Sequence, residues 1–312
     1  MAKDSKNSAA KSKGEKKGAK STQKSSEEQG YKEMAIEEYV IEEEPFYIPT
    51  GDEIEVFKVA FKRKVPFAAI GPTGCGKTRF VQYMSWLLNK ERNTNYPFLL
   101  VTCHEDLAAD DMLGMEKITG EYQEGVLHRW ARKGGILYLD EVVEARSDVV
   151  TLLHPLMEPG RRYFSNERKG TTTLIHPDCM LVKSYNPGYQ DITKQLKPST
   201  KQRPMTHRFG YAPPELEQKI VIAESGVDKR NAHALVEFGT RVRNMKDSGV
   251  GALQEGASTR LLINAGMLIA DGIPPMTACT DGIINCLTEG VDDTYNKLGE
   301  ALQEVAKLFY GK

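Results

Sequence analysis

One short stretch of the chain places three glycines, a lysine and a threonine at a spacing that suits phosphate binding. It reads GPTGCGKT from Gly71 to Thr78 and matches the phosphate-binding pattern GxxxxGK[ST]. In such a loop the glycines let backbone N–H groups turn inward around an anion. The lysine reaches the β- and γ-phosphates of ATP, and the threonine hydroxyl binds Mg²⁺. The alternative is a glycine-rich turn that only packs. The predicted nucleotide-binding residues are Gly71, Pro72, Thr73, Gly74, Cys75, Gly76, Lys77, Thr78 and Arg79.

Two acidic residues and one asparagine follow apolar runs farther along the chain. In GILYLDEV the run ends at Asp140 and Glu141. We expect Asp140 to hold Mg²⁺ through water and Glu141 to orient and deprotonate the attacking water. The alternative is an acidic pair that caps the next helix. Asn186 follows another apolar run and is expected to contact the γ-phosphate or the water, although Asn-Pro-Gly alone is a turn signal. These residues together predict hydrolysis of ATP.

The elements that position these residues alternate between strand and helix. Four apolar runs indicate buried strands, and a fifth is a candidate: PFAAI (66–70), PFLLVTC (97–103), GGILYLDE (134–141), CMLVKSYN (179–186) and, fifth, HRFGY (207–211). Between the first two runs, apolar residues recur at helical spacing from Lys77 to Lys90. Buried strands separated by helices predict an α/β fold, with a parallel sheet between helices on both faces.

The two ends of the chain differ from this middle part. Residues 1–30 carry eight Lys and four acidic residues and no aromatic residue, Val, Ile or Leu, so they predict a disordered basic tail. After Pro214 the apolar pattern becomes helical, and the last helix has one apolar stripe. We therefore predict an α/β nucleotide-binding domain at 31–212 and a small all-helical lid domain at 213–312.

Composition excludes several classes of protein. The 312 residues carry a net charge of −1, so no global field favours nucleic acid or an anionic membrane. The five scattered cysteines argue against a disulfide framework and a zinc site, and they fit a reducing cytosol. Neither a transmembrane run nor a secretory signal is apparent. A DNA-directed motor is disfavoured because no DNA-binding module follows the last helices. We expect a cytoplasmic protein that binds no nucleic acid and inserts into no membrane.

In this order the motifs resemble those of the AAA+ ATPases, and more narrowly the CbbQ/NirQ/NorQ group of the MoxR branch. The resemblance covers nearly everything after residue 40. It rests on GPTGCGKTRF (71–80), GGILYLDEVVEAR (134–146), HPLMEPGRR (154–162), SYNPGYQ (184–190), LKPSTKQR (196–203) and EGASTRLL (255–262). It implies two hairpin insertions, near 111–130 and 160–177, which in the family face the pore or one ring face and act on the client protein.

The resemblance also implies roles for two arginines. Arg203 matches the arginine finger, which reaches into the neighbouring subunit's nucleotide and stabilises charge on the transferring phosphoryl group. The chain departs from the family pattern at Pro204, and a second arginine, Arg208, is the alternative finger. Arg260 matches sensor 2, which would contact the γ-phosphate at the start of a lid helix. Each arginine taken alone is as well explained by a surface ion pair.

For partners, the resemblance implies a homohexamer with ATP between subunits and an adaptor protein that carries a von Willebrand factor A (VWA) domain. CbbQ-like members activate Rubisco by releasing inhibitory sugar phosphates, and Rubisco is the client we favour. NorQ-like and NirQ-like members mature nitric oxide or nitrite reductases, which is the first alternative. The second is a gas-vesicle-type assembly ATPase, against which Glu141 and Arg203 count. The basic tail is a candidate docking segment for a carboxysome.

Overall fold

The computed structural model describes residues 37–158, 163–166, 170–187, 196–249, 253–288 and 293–310. All of them belong to one compact unit. The basic tail predicted at residues 1–30 lies outside the described residues, as do parts of the second hairpin insertion and of the SYNPGYQ stretch. The boundary at residue 212 between the two predicted domains stays a prediction.

The strands within these residues form one large sheet and two hairpins. They are β1 (Glu37–Tyr39), β2 (Phe67–Ile70), β3 (Phe98–Thr102), β4 (Gly114–Glu116), β5 (Tyr122–Glu124), β6 (Gly135–Asp140), β7 (Tyr163–Asn166), β8 (Thr171–Leu174), β9 (Cys179–Tyr185) and β10 (Met205–Arg208). The large sheet has the order β1-β3-β6-β9-β2-β10. Its last five strands run parallel, and β1 pairs antiparallel with β3 at the edge.

Helices surround this sheet and fill the carboxyl-terminal part of the chain. They are α1 (Glu53–Arg63), α2 (Lys77–Arg92), α3 (Ala109–Leu113), α4 (Val126–Lys133), α5 (Ser147–Leu153), α6 (Pro198–Lys201), α7 (Pro214–Ser225), α8 (Lys229–Asp247), α9 (Thr259–Ala270), α10 (Pro275–Cys279), α11 (Asn285–Leu287) and α12 (Asp293–Tyr310). None of the helices in the described ranges is both long and apolar enough to cross a membrane.

Both faces of the sheet are buried. Because alternate residues of a strand point to opposite sides of the sheet, each strand contributes side chains to two cores. In β6, Leu137 and Leu139 belong to the core that includes α4 and α5. Ile136 and Tyr138 of the same strand belong to the core that includes α1 and α2. The predicted fold, a parallel sheet between helices, is therefore confirmed.

Two details of the sheet differ from the sequence prediction. The fifth strand spans Met205–Arg208 and not 207–211, because its pairing with β2 begins at Met205 opposite Phe67. Strand β1 was not predicted. It is three residues long, reads EEY and pairs along one edge only, so its side chains show no apolar alternation that a sequence pattern could reveal.

Both insertion segments contain a two-stranded antiparallel pair. In the first, β4 pairs with β5, and α4 follows directly. In the second, β7 pairs with β8. Two side chains on these pairs are strongly exposed: Ile118, between β4 and β5, is fully exposed, and Leu174 on β8 is largely exposed. Residues 159–162 and 167–169 of the second segment lie outside the description.

The helices from α7 to α12 have an apolar core of their own. Leu235 and Val242 of α8, Leu262 of α9 and Leu302 of α12 are among its buried members. The predicted stripe on the last helix is present, with Leu298 and Leu302 buried and two further residues partly buried, Val305 and Phe309. The carboxyl-terminal region is thus all-helical, as the sequence pattern predicted.

Candidate functional site

The carboxyl ends of three neighbouring parallel strands bring the predicted polar residues to one edge of the sheet. Strand β2 leads into Gly71, β6 ends at Asp140, and β9 leads into Asn186, and these strands are adjacent in the order β6-β9-β2. Open parallel sheets bind ligands at this edge. A cavity of about 640 Å³ lies here. The predicted residues that line it are Thr73, Gly74, Cys75, Gly76, Lys77, Thr78, Arg79, Asp140, Glu141, Asn186 and Arg260.

The glycines of the loop are required by its geometry. Gly74 and Gly76 have φ angles of 66° and 95°, in the left-handed region that residues with a Cβ rarely adopt. A Cβ on Gly71 would lie 2.4 Å from the carbonyl oxygen of Phe209. The loop then enters α2 at Lys77. The positive end of the helix dipole therefore faces the place where an anion would bind.

The loop curves around the side chain of Lys77. Its Nζ donates to the carbonyl oxygens of Gly71, at 2.9 Å, and Pro72, at 2.8 Å. An ammonium held in this way lies inside the loop, within the cavity that the loop lines. The arrangement places one positive charge where the sequence pattern predicted a phosphate contact.

Beside the loop, four side chains from three elements form one hydrogen-bonded cluster. The Thr78 hydroxyl lies 3.4 Å from Asp140 Oδ2 and 3.3 Å from the Tyr138 hydroxyl. Tyr138 donates to Asp140 Oδ1 at 2.9 Å, and Ser184 Oγ donates to the same oxygen. Oδ1 thus accepts two hydrogen bonds from protein groups, and Oδ2 faces Thr78. Burial, and then the charge of Asp140, raises the pKa of Tyr138 far above its usual range, so this hydroxyl keeps its proton.

Glu141 has a backbone conformation that is uncommon for a residue with a side chain. Its φ and ψ are 54° and 47°, a left-handed conformation that persists only where the surroundings enforce it. Its N–H donates to Ser184 Oγ at 3.3 Å. The side chain is exposed and lines the cavity. Asn186 also lines the cavity and donates from Nδ2 to Thr73 Oγ1 at 3.3 Å.

The start of α9 packs directly on the glycine loop and places Arg260 in the cavity. A Cβ on Gly74 would lie 2.8 Å from Ser258, whose Oγ accepts from the Leu261 N–H as the cap of α9. The neighbouring Thr259 donates to Glu217, a buried carboxylate of α7 that also accepts two bonds from Arg243 of α8. Three helices of the carboxyl-terminal region are therefore tied together beside Arg260, the second residue of α9.

Two further loop residues have partners of a different kind. Arg79 forms an ion pair of 3.1 Å with Glu224 and so links α2 to α7 beside the cavity. Burial raises the pKa of the Cys75 thiol, an effect that the charge of Lys77 partly opposes. A raised thiol pKa disfavours the reactive thiolate, which agrees with Cys75 being a small loop residue.

Arg203 lies elsewhere. Among the described residues that line the cavity it does not appear. Its Nε donates to Glu158 Oε1 at 2.6 Å, and its Nη1 donates to the Ser199 carbonyl oxygen at 2.7 Å. Arg208 ends β10. Burial raises the pKa of Tyr185, an effect that the charge of Arg208 partly opposes. Tyr185 lines the cavity, whereas Arg208, like Arg203, is not among the described residues that do.

Sequence reasoning missed three contributors to the site. The segment Phe46–Thr50 lines the cavity, and Tyr47 within it donates to the buried Glu53 at the start of α1 at 2.7 Å. Tyr138 looked like an ordinary residue of an apolar strand. Ser184 left one signal, a polar residue in a run that is otherwise mostly apolar. The contacts of all three form only when separate elements pack together.

Comparison with known proteins shows to which family the chain belongs. A family model described as AAA domain (dynein-related subfamily) matches residues 67–204, and one described as CbbQ/NirQ/NorQ C-terminal matches residues 217–309. Protein CbbQ of Hydrogenophilus thermoluteolus is 46% identical over 83% of this chain and 94% of its own length. The denitrification regulatory protein NirQ of Pseudomonas aeruginosa is 46% identical over 78% and 92%. Protein NorQ of Paracoccus denitrificans is 42% identical over 86% and 94%. Because relatives at this identity match over nearly their whole length, the chain belongs to the CbbQ/NirQ/NorQ family of AAA ATPases.

Proposed function

We propose that this ATPase uses ATP hydrolysis to remodel a client enzyme, and that the client is Rubisco, from which it releases inhibitory sugar phosphates together with a VWA-domain adaptor. The cavity, with its loop lysine, acidic pair and lid arginine, carries the motor part of the proposal. The client part rests on the 46% identity to protein CbbQ over 94% of that protein. The same identity to NirQ keeps a second candidate, a chaperone that matures a denitrification reductase.

The residues of the cavity divide the work of phosphoryl transfer. Lys77 would hold the β- and γ-phosphates. Asn186, which follows β9, and Arg260, which lies on α9, would contact the γ-phosphate. Glu141 would orient the attacking water and accept its proton. Arg203 would act on the neighbouring subunit's nucleotide, because a guanidinium beside the γ-phosphate stabilises charge that develops in the transition state. Since AAA proteins are typically oligomeric, the assembly we propose is a homohexamer.

The donors beside the loop fit Mg²⁺. The Thr78 hydroxyl and Asp140 Oδ2 are 3.4 Å apart, and both are oxygen ligands, which Mg²⁺ prefers. No group of three or more His, Cys, Asp or Glu side chains in the described part of the chain could hold a metal alone. That suits Mg²⁺, which usually keeps waters and takes its other ligands from substrate phosphates. When bound, the ion neutralises charge on the phosphates.

The hydrogen bond from Tyr138 to Asp140 gives a specific prediction for this ion. Tyr138→Phe removes the donor but keeps the ring in its core, so the Asp140 carboxylate loses one of the bonds that orient it. Loss of such a supporting bond typically costs 10- to 100-fold in metal affinity. We expect the Mg²⁺ concentration for half-maximal ATP turnover to rise about tenfold. The Mg²⁺ dependence of binding of a fluorescent ATP analogue should shift with it.

A matched control for this variant is Tyr96→Phe. The Tyr96 hydroxyl donates to Asp178 at 3.0 Å, and Tyr96 precedes β3 at the edge of the sheet away from the cavity. Its loss should leave the Mg²⁺ dependence unchanged. An equal shift in both variants, or no shift in Tyr138→Phe, would contradict a positioning role for Tyr138.

The proposed client is tested with Rubisco itself. Rubisco preloaded with ribulose bisphosphate or another tight inhibitor is mixed with this protein, ATP and a VWA-domain adaptor, and its carboxylase activity is followed. Recovery that requires ATP and is lost with Glu141→Gln would support the activase function. No recovery, with ATP hydrolysis intact, would reject Rubisco as the client and favour the reductase candidate.

A further inference from the structure

Lys183 is a lysine in an unusual place. It lies in the middle of β9, and only 1% of its surface is exposed. Among the ion pairs of the described residues none includes Lys183, and its hydrogen bond goes from Nζ to the Thr200 carbonyl oxygen at 2.8 Å. Burying an ammonium without a carboxylate partner is costly. An apolar side chain in the same core would avoid that cost.

The segment that Lys183 holds is the one that leads to Arg203. Thr200 is fully buried and belongs to α6. Its hydroxyl lies 2.7 Å from His154 Nε2, so two side chains from the body of the protein fix this residue. Three residues later, Arg203 binds back to the Ser199 carbonyl of the same turn. The position of α6 therefore sets the position from which Arg203 projects.

We propose that Lys183 is a positioning residue for Arg203, which ties the segment carrying that arginine to strand β9. The same strand leads into Asn186, three positions beyond Lys183. Lys183 thereby connects the residue proposed to contact this subunit's nucleotide with the residue proposed to serve the neighbour's nucleotide. The inference rests on the proposed function of Arg203 and adds a residue that supports it.

The pKa of Lys183 indicates that its buried charge lowers the stability of the protein. Burial, and then the nearby charge of Arg203, lowers the pKa of Lys183 to about 8. The unfolded chain has the ordinary lysine value of about 10.4, so between these values the unfolded state binds more protons. The contribution of Lys183 to the free energy of unfolding should therefore rise with pH between these two values. Burial, Arg203, Lys183 and Lys197 also lower the pKa of His154, against the opposite effect of Glu158.

The test compares Lys183→Met with the unchanged full-length protein. Methionine fills the core but cannot hold the Thr200 carbonyl. We expect ATP turnover to fall about 10- to 100-fold, the size of effect that a small misplacement of a catalytic group can have. Affinity for a fluorescent ATP analogue should stay unchanged. The midpoint of thermal unfolding at pH 7 should be equal or higher, and this difference should narrow as the pH approaches 10.

A loss of turnover without a loss of stability separates positioning from a structural role. If Lys183 only supported the fold, Lys183→Met would lower the unfolding midpoint, nucleotide affinity and turnover together, and that result would overturn the proposal. Lys201→Met, which removes a partly exposed lysine from α6, is the matched control and should keep full turnover. Full turnover in Lys183→Met would equally overturn the proposal.

A double variant separates this inference from the function on which it rests. Lys183→Met should cause no further loss in a protein that already carries Arg203→Ala, because interacting residues are not additive. If the double variant lost turnover by the product of the two single losses, Lys183 would act through a group other than Arg203. If Arg203→Ala alone kept full turnover, Arg203 could not be the arginine finger, and this conclusion would not depend on the result for Lys183→Met.

Discussion

Glu141→Gln should leave ATP bound but lower its turnover by about 10²- to 10⁴-fold, the usual contribution of a general base. Glutamine keeps the size of the side chain and the cavity that it lines, but its amide cannot accept a proton from water. The backbone of Glu141 is held by its N–H bond to Ser184 Oγ, which the substitution does not touch. Phosphate release measures turnover, and a fluorescent ATP analogue measures affinity.

The control for this variant is Glu144→Gln. Glu144 belongs to the same short helical turn but does not line the cavity among the described residues. It should retain its turnover. If Glu141→Gln hydrolysed ATP at the normal rate, the base would have to be another group and the proposed mechanism would be wrong. If it lost nucleotide affinity as well, Glu141 would act in binding.

Arg203→Ala should reduce turnover by at least about 10³-fold, the lower end of the effect of an arginine finger, while the affinity for nucleotide stays unchanged. The physical reason is its location. Arg203 pairs with Glu158 and is not among the described residues that line the cavity of its own subunit, which suits the proposed action on a neighbour's nucleotide. Measurement of turnover and of binding on the same preparation separates the two effects.

Two further experiments test the prediction for Arg203: mixing variant and unchanged subunits, and the variant Arg208→Ala. A finger acts between subunits, so adding Arg203→Ala protein to unchanged protein should lower turnover by more than dilution explains. Arg208→Ala is the decisive comparison, because Arg208 is exposed at the end of β10 and was the alternative finger. If Arg208→Ala lost turnover and Arg203→Ala kept it, the assignment would be wrong. Glu158→Gln removes the charge of the ion pair but leaves an amide oxygen that can accept from Arg203 Nε, so it should keep turnover.

The sequence predicted the part of the site that lies within short stretches. The glycine loop after β2, the acidic pair at the end of β6 and the asparagine after β9 each follow an apolar run. Because the strands are parallel, residues at their carboxyl ends meet at one edge without further information. The fold class follows in the same way from buried strands that alternate with helices. All of these inferences depend on neighbours in the chain.

Sequence patterns could not give the contacts between distant segments. Tyr138 and Ser184 meet at Asp140 only because β6 and β9 are neighbours in the sheet. The position of Arg203 outside its own cavity depends on where α6 packs. Burial of a lysine in an apolar strand is energetically unfavourable. Only the tertiary structure shows that Lys183 contacts the Thr200 carbonyl and so explains its presence there.

What the sequence determined by itself is therefore the chemistry of the ATPase: a phosphate-binding loop, an acidic pair and a helical carboxyl-terminal region, with the family to which they belong. The tertiary structure decided which side chains hold that chemistry in place. Spacing along the chain is enough to specify a loop or the end of a strand, because both form from consecutive residues. Hydrogen bonds between residues dozens of positions apart, such as Ser184 to Asp140, exist only once the sheet has formed.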